Sequence, residues 1–268
     1  MPKSKVIKLT VKDIRDIKKR ARLTVLTAYD FLTACILDTE SIDIILVGDS
    51  LGMVALGYES TVPVLMRDML HHTKAVTRGV KRALVVADMP FGSYDTPQRA
   101  VRNARRFLQE ARADAVKVEG GTRIRSEVEA LVKAGIPVMG HLGLTPQTAG
   151  ELGGYKVQGS TRKKAEEIHK DAVLLDKLGV FAIVLECVPA KLAARVTASV
   201  KCPTIGIGAG NRTDGQVLVL PDMLGLQTRF RPKFVRRYAS LDSNIRRAVR
   251  NYASDVAAGK FPSKEESY

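Results

Sequence analysis

The residues best suited to chemistry in this sequence are three acids, each of which follows a short apolar segment. Asp49 stands in LVGDSLG, Asp88 in VVADMPFGSYDTP and Glu119 in VKVEGG, at spacings of 39 and 31 residues. Several carboxylates in one water-poor site repel each other unless they share a cation or a proton. Carboxylate oxygens suit a hard divalent ion such as Mg²⁺. The three acids therefore predict a divalent-metal site. The alternative is that some of them cap the helices that follow or pair with Lys117 or Arg123.

Three further side chains have chemical potential. Lys117 lies two residues before Glu119, so both side chains point to the same face of their strand. Lys117 could neutralise a substrate carboxylate, or it could form a structural salt bridge with Glu119. Glu186, in IVLECVP, ends an apolar run, where burial can raise a carboxyl pKa as a proton acceptor requires. Pairing with a nearby Lys or Arg is the competing interpretation. His141, in MGHLGLTPQ, is a possible ligand contact or a structural hydrogen-bond donor.

These residues are spaced by an alternation of short apolar runs and longer amphipathic segments. The apolar runs lie at 23–30, 42–49, 83–90, 115–120, 136–143, 181–187 and 203–210, with a weaker eighth at 216–220. Helical segments between them lie at 66–80, 96–111, 123–135 and 163–179. Most of the runs are continuously apolar, which is typical of parallel strands buried on both faces. The pattern predicts an α/β domain.

The polar ends of the runs distinguish a closed barrel from an open doubly wound sheet. The residues concerned are Asp30, Asp49, Asp88, Glu119, His141 and Glu186. In a closed barrel such ends converge on one mouth, whereas in an open sheet they spread along an edge. We therefore predict a single-domain (β/α)8 TIM barrel over residues 1–268. It is expected to begin with a basic N-terminal helix at 1–22 and to end in a frayed tail at 260–268.

The net charge of +15 is concentrated near the two ends of the chain. Residues 1–22 and 229–250 each carry a net +7, whereas residues 23–228 carry only +2. The chain has no Trp and no zinc-finger spacing, so we expect no nucleic-acid partner. No apolar run approaches the roughly 20 residues of a membrane span, and no secretory signal is evident, so the expected location is cytoplasmic, without a membrane partner. The three cysteines are interpreted as buried apolar residues.

In this order, the motifs closely resemble those of the ketopantoate hydroxymethyltransferase (3-methyl-2-oxobutanoate hydroxymethyltransferase) family. The matching stretches are LTAYD (26–30), LVGDSLGMVALGYESTVPV (46–64), ADMPFGSYDTP (87–97), AVKVEGG (115–121), PVMGHLGLTPQ (137–147), GGYKVQG (153–159), LECVP (185–189), IGIGAGNRTDGQVLV (205–219) and PKF (232–234). The resemblance spans roughly residues 23–235, and several of these stretches are long and unusual.

The resemblance implies a barrel similar to the phosphoenolpyruvate mutase and isocitrate lyase group. It also implies transfer of a one-carbon unit from 5,10-methylenetetrahydrofolate, or a related pterin, to 3-methyl-2-oxobutanoate, in pantothenate and coenzyme A synthesis. Carried over by motif, the ligands of Mg²⁺ or another divalent cation are Asp49, Asp88 and Glu119, the keto-acid contacts are Asp49, Ser50, Asp88 and Lys117, and the proton acceptor is Glu186. Only Ser50 comes from the resemblance alone. The family further implies small-molecule substrates and a large homo-oligomer, with a decamer suspected.

Two other functions remain open from the residues. A metal-dependent lyase of the same barrel group would also stabilise an enolate, so the acids cannot exclude it. The GHLGLTPQ and GGYKVQG segments favour the transferase. A nucleic-acid-binding protein would use the basic ends but would leave the acids without a role. The basic segments 160–164 and 228–237 leave the exact one-carbon donor open, since a pterin with an anionic tail would be attracted to them.

Overall fold

The computed structural model describes residues 6–18, 20–228 and 232–268. Its sheet is a closed barrel of eight parallel strands in chain order, in which the last strand pairs with the first. The strands are β1 Leu23–Thr27, β2 Ile44–Val47, β3 Leu84–Asp88, β4 Ala115–Glu119, β5 Val138–Gly143, β6 Ala182–Glu186, β7 Thr204–Ile207 and β8 Gly215–Leu218. Each of the eight predicted runs overlaps one strand, so the predicted barrel is confirmed.

Helices follow most of the strands. The α-helices within the described residues are α1 Val11–Ile17, α2 Phe31–Thr39, α3 Leu51–Val54, α4 Met66–Gly79, α5 Pro97–Gln109, α6 Arg125–Lys133, α7 Arg162–Leu178, α8 Ala190–Ser199, α9 Leu220–Met223 and α10 Leu241–Ala257. Short 3-10 helices occupy Thr122–Ile124, Pro146–Thr148 and Lys264–Glu266. The four helical segments predicted between the strands are confirmed as α4, α5, α6 and α7. No helix among the described residues is long and apolar enough to cross a membrane.

The local sequence explains where these helices begin and end. Thr96 caps α5 by accepting a hydrogen bond from the Arg99 N–H, and Pro97 occupies the first helical position, where a missing N–H costs nothing. Gly179 ends α7 in the left-handed conformation, with a φ of 98° that other residues adopt at a cost.

The N-terminal helix is shorter than the predicted span of residues 1–22. It covers Val11–Ile17 and begins with a capping box between Thr10 and Asp13. Residues 1–5 and 19 of the predicted helix lie outside the described residues. The chain leaves the helix at Lys18, whose Nζ lies 3.0 Å from Asp214 Oδ2 and donates to the carbonyl of Cys202. These partners immediately precede β8 and β7, so Lys18 attaches the N-terminal segment to the end of the barrel opposite the predicted site.

The chain divides into two compact units, residues 1–219 and 220–268. The barrel closes entirely within the first unit, and α9 and α10 belong to the second. Residues 229–231 of the basic segment 228–237 lie outside the described residues. The predicted frayed tail at 260–268 contains one 3-10 turn. The prediction of one domain over 1–268 stays a prediction.

A buried carboxylate joins α2 to the segment that enters β3. Asp38, which is 9% exposed, accepts hydrogen bonds from the backbone N–H groups of Lys81, Arg82 and Ala83 at 2.7 to 2.9 Å. Hydrogen bonds to a charged group are roughly twice as strong as neutral ones. Asp38 therefore fixes the start of β3, the strand that carries Asp88 at its other end.

We expect Asp38→Ala to lower the free energy of unfolding by about 2–3 kcal/mol, because three backbone N–H groups lose their acceptor in a poorly hydrated position. Urea unfolding followed by circular dichroism measures this loss. The control Glu40→Ala changes an exposed acid of the same helix end and should stay within about 0.5 kcal/mol of the parent. Equal stability of the two variants would contradict this role of Asp38.

Candidate active site

The register of four neighbouring strands brings the predicted residues to one mouth of the barrel. Asp88 at the end of β3 is the Cα partner of Lys117 in β4, and Glu119 at the end of β4 is the partner of His141 in β5. Glu186 at the end of β6 is likewise opposite Gly143 of β5. Because all strands are parallel, these ends face the same side of the barrel, where enzymes of this fold place their sites.

Lys117 is the cation at the centre of the buried acids. Its Nζ lies 3.0 Å from Asp88 Oδ1 and 3.3 Å from Glu119 Oε1. The side chains of all three residues are at most 4% exposed. The alternative interpretation of Lys117 as a salt-bridge partner is thus correct as geometry, with Asp88 the nearer of its two acids. Arg123, the other suggested partner, pairs with Glu151 instead.

A second set of contacts connects Glu119 to Glu186 through His141. The Nδ1 atom of His141 lies 3.0 Å from Glu119 Oε1, and its Nε2 atom lies 3.2 Å from Glu186 Oε2. His141 is buried, whereas the Glu186 side chain is 16% exposed. Of the three side chains in this series, Glu186 is therefore the one nearest to solvent.

Asp49 joins the cluster from the β2–α3 connection. Its backbone N–H donates to Asp88 Oδ2 at 3.0 Å, and its own carboxylate accepts a hydrogen bond from Gln147 Nε2 at 2.8 Å. Ser50 follows directly and its Oγ lies 2.9 Å from the hydroxyl of Tyr29. All the predicted site residues thus lie at the same mouth of the barrel.

Asp30 behaves differently from the other strand-end acids. It is exposed, and its carboxylate accepts a hydrogen bond from the Thr33 N–H at 2.9 Å as the N-cap of α2. Asp30 is thus a helix cap and not a member of the acid cluster. Its sequence context resembles that of Asp49, but Asp30 satisfies the first turn of a helix rather than facing the other acids.

Two residues of the site were missed from the sequence. Gln147, in the 3-10 helix Pro146–Thr148, contacts Asp49 with its side chain and Glu119 with its backbone N–H. Tyr94 donates its hydroxyl hydrogen to Gln147 Oε1 at 2.6 Å. Both residues are buried. They stand inside the motif stretches 137–147 and 87–97, and this placement was the only available signal, since neither is charged.

The pKa values of the site residues are shifted because three carboxylates lie close together in a buried space. Burial raises the pKa of Asp49 well above its ordinary value, and the neighbouring charges of Asp88 and Glu119 raise it further. Burial opposes the charged form of Lys117, but the carboxylates around it outweigh this and raise its pKa. Burial alone would raise the pKa of Glu119, yet Lys117 and His141 lower it to about 2. The internal cations therefore neutralise Glu119 but not Asp49.

The donor chemistry of these acids fits a divalent cation. Asp88 Oδ1 is buried and accepts no hydrogen bond of normal geometry, although the Lys117 ammonium lies 3.0 Å away, and Lys117 only partly offsets the burial and repulsion that raise the pKa of Asp49. An added hard cation would relieve both, and carboxylate oxygens are its preferred ligands. Across residues 6–18, 20–228 and 232–268, however, no three His, Cys, Asp or Glu side chains form a ready ligand group. Lys117 lies among the acids, so binding would require small side-chain movements.

The closed parallel barrel with charged residues at one mouth is a fold found in many enzymes, and solved structures share it. The chain resembles phosphoenolpyruvate phosphomutase from Streptomyces platensis subsp. rosaceus, with a TM-score of 0.63 and 13% identity over 97% of this chain and 92% of that one. It also resembles 2,3-dimethylmalate lyase, described as a member of the PEP mutase/isocitrate lyase superfamily, with a TM-score of 0.59 and 14% identity over 97% and 92% of the two chains. At these identities the likeness establishes the fold.

Sequence relatives establish the family. The model of the family described as ketopantoate hydroxymethyltransferase matches residues 8–264. The 3-methyl-2-oxobutanoate hydroxymethyltransferase of Syntrophus aciditrophicus is 55% identical, over 99% of this chain and 98% of the relative. That of Heliobacterium modesticaldum is 56% identical, over 97% and 95%. The chain belongs to the ketopantoate hydroxymethyltransferase family. The predicted family is confirmed, and the lyase and nucleic-acid-binding alternatives are set aside.

We expect Lys117→Met to lower the free energy of unfolding by about 3–5 kcal/mol in EDTA, because removing one partner leaves buried carboxylates uncompensated. Urea unfolding at neutral pH measures this loss. Lys133→Met, on the exposed face of α6, is the matched control and should cost less than about 0.5 kcal/mol. A loss as small as that of the control would show that the cluster does not depend on Lys117.

Proposed function

We propose that this chain transfers a hydroxymethyl unit to 3-methyl-2-oxobutanoate, which gives ketopantoate for pantothenate and coenzyme A synthesis. The donor is 5,10-methylenetetrahydrofolate or a related pterin. The observation that carries the proposal is a series of contacts at the barrel mouth, which runs from Lys117 through Glu119 and His141 to Glu186. The family to which the protein belongs is named for this activity. These side chains supply a cation for the substrate and an acceptor for its proton.

The buried end of the site binds the keto acid. Asp49, Asp88 and Glu119 would hold Mg²⁺ or another divalent cation, which when bound supplies a Lewis acid for the keto oxygen. The carboxylate of the keto acid brings a negative charge that Lys117 is placed to offset. Ser50, beside Asp49, can donate a hydrogen bond to the same substrate. These residues fix the keto acid with its tertiary carbon towards the outer part of the site.

Glu186 acts as the base. It accepts the proton of the carbon adjacent to the ketone, and the electron pair of that C–H bond becomes the enolate. The enolate carbon then bonds to the methylene carbon of the donor, whose bonds to N5 and N10 break, and water supplies the hydroxyl group. The proton held by Glu186 and the second proton of the water go to the two nitrogens, so tetrahydrofolate leaves. His141, 3.2 Å from Glu186 Oε2, orients the carboxylate during these steps. A general base of this kind typically contributes about 10²–10⁴ in rate.

The test is deuterium exchange at the tertiary carbon of 3-methyl-2-oxobutanoate in D₂O, followed by NMR with Mg²⁺ and then with EDTA. We expect exchange with the metal and none with EDTA. Glu186→Gln should lower the exchange rate by about 10²–10⁴, because the amide cannot accept the proton. Glu167→Gln, an exposed position on α7, is the control and should exchange like the parent.

Full exchange in Glu186→Gln would show that Glu186 is not the base. Failure of the parent to exchange is resolved by adding methylenetetrahydrofolate. Ketopantoate formed only then means that the donor must bind first, whereas no product rejects the proposed substrates.

We also propose that the chain works as a large homo-oligomer, with the decamer as the suspected state. Support comes from α10, on which Ile245, Val249, Tyr252 and Val256 are each 47% to 59% exposed. Their spacing of four, three and four residues places them on one face of the helix. An exposed apolar stripe of this kind is a typical contact surface, and a second copy of the chain is the partner that the family implies.

We expect Val249→Asp to yield a smaller species in size-exclusion chromatography with light scattering, because it places a charge within the apolar stripe. Asn251→Asp, which adds the same charge on the opposite side of α10, should keep the parent's mass. Equal masses for the two variants would show that this stripe is not an oligomer contact.

A further inference from the structure

Gln147 is a neutral residue that contacts two acids of the site, one with its side chain and one with its backbone. Its Nε2 group donates to Asp49 Oδ2 at 2.8 Å and to the carbonyl of Met89 at 2.9 Å. Its backbone N–H donates to Glu119 Oε2 at 3.1 Å. It is only 4% exposed, so these bonds form without competition from solvent. One residue thus contacts two of the three proposed metal ligands.

The orientation of the Gln147 amide is determined by its neighbours. Tyr94 donates to Oε1, while Asp49 and the carbonyl of Met89 both require a donor. If the amide were flipped, its oxygen would face the Asp49 carboxylate and the Met89 carbonyl oxygen. Its NH₂ group would face the Tyr94 hydroxyl, which would then lose its acceptor. The Tyr94 hydroxyl in turn accepts from the Glu119 backbone N–H at 3.3 Å. Gln147, Tyr94 and Glu119 therefore form one closed hydrogen-bonded ring, and the Gln147 amide bonds Asp49 and the Met89 carbonyl to it.

We propose that Gln147, aligned by Tyr94, is a positioning residue for the divalent cation: it sets the Asp49 carboxylate relative to Glu119. This inference rests on the metal site of the proposed function. Asp49 comes from the β2–α3 connection, and the Gln147 amide donates to its carboxylate at 2.8 Å, whereas the Lys117 ammonium pairs with Asp88 and Glu119. A ligand that is held before the ion arrives binds it more tightly, because less ordering remains to be done.

A neutral amide suits this position better than a charged side chain. A lysine would compete with the cation, and a glutamate would repel Asp49 and leave the carbonyl of Met89 facing a carboxylate. Only an amide offers donors to Asp49 and Met89 together with an acceptor for Tyr94. The site thus gains rigidity without a change in its net charge.

The test measures Mn²⁺ binding by electron paramagnetic resonance, which needs no turnover. Partners of metal ligands typically contribute 10- to 100-fold to metal affinity. We expect the Mn²⁺ Kd of Gln147→Met to rise about tenfold or more, and that of Tyr94→Phe to rise by a smaller factor. Gln216→Met is the matched control, because its amide donates to Gly210 and Thr213 and to no acid, so its Kd should stay within about twofold of the parent.

A second readout separates positioning from a general structural role. Because the keto acid is bound with the metal, Gln147→Met should raise the KM for 3-methyl-2-oxobutanoate at limiting Mn²⁺, and saturating Mn²⁺ should restore it. A folded Gln147→Met variant with the parent's Kd overturns the inference. If that variant does not fold, an unchanged Kd in Tyr94→Phe overturns it. Should the parent itself bind no Mn²⁺, the metal site of the proposed function is wrong and this inference fails with it.

Discussion

Lys117 and the carboxylates around it impose the strictest condition on this structure. A charge removed from water is costly unless an opposite charge and hydrogen bonds compensate it. Here Asp88 and Glu119 lie within 3.3 Å of the Lys117 ammonium, and none of the three has appreciable contact with solvent. Each carboxylate must therefore stand within a few tenths of an ångström of its position. The elements that carry them have to be correspondingly rigid.

The barrel supplies that rigidity through register. Side chains of a strand alternate between its two faces, so a slip of one residue would turn Lys117 and Glu119 away from the barrel mouth. The strands are nearly continuous in apolar residues, and β2, β3 and β4 are buried throughout. In a closed barrel each strand forms hydrogen bonds with a neighbour on both sides. A strand that shifted its register would therefore lose the pairing on both sides at once. The pairing of Asp88 with Lys117 and of Glu119 with His141 thus follows from closure of the barrel as much as from attraction between charges.

Much of this arrangement could be predicted from the sequence, for a definite reason. An acid or a histidine at the end of an apolar run is conspicuous, and parallel strands bring such ends together, so Asp49, Asp88, Glu119, His141 and Glu186 could be found without coordinates. Asp30 met the same criterion but caps a helix, because strand-end and helix-start positions coincide in a short connection. Gln147 could not be found in this way, since a neutral residue in a short 3-10 helix after a strand has no recognisable pattern, and its partner Asp49 lies 98 residues away. The N-terminal helix ends at Ile17, and the contacts of Lys18 with Cys202 and Asp214 join residues too far apart in the chain to be read from a local pattern.

The residues of the proposed reaction lie at different depths in the barrel mouth. Asp49, Lys117 and Glu119 are 3% to 6% exposed, so charge on a small substrate is matched where water is scarce and electrostatic interactions are strong. Glu186 is more accessible, and Tyr155, which is half-exposed and whose pKa is raised by burial and by the charge of Glu186, lies further out. In the proposed reaction the small keto acid would take the inner position and the larger donor the outer one. His141 connects the two levels, since it contacts the inner Glu119 with one ring nitrogen and the outer Glu186 with the other. Glu186, the proposed base, is in this way connected through His141 to Glu119, one of the proposed metal ligands.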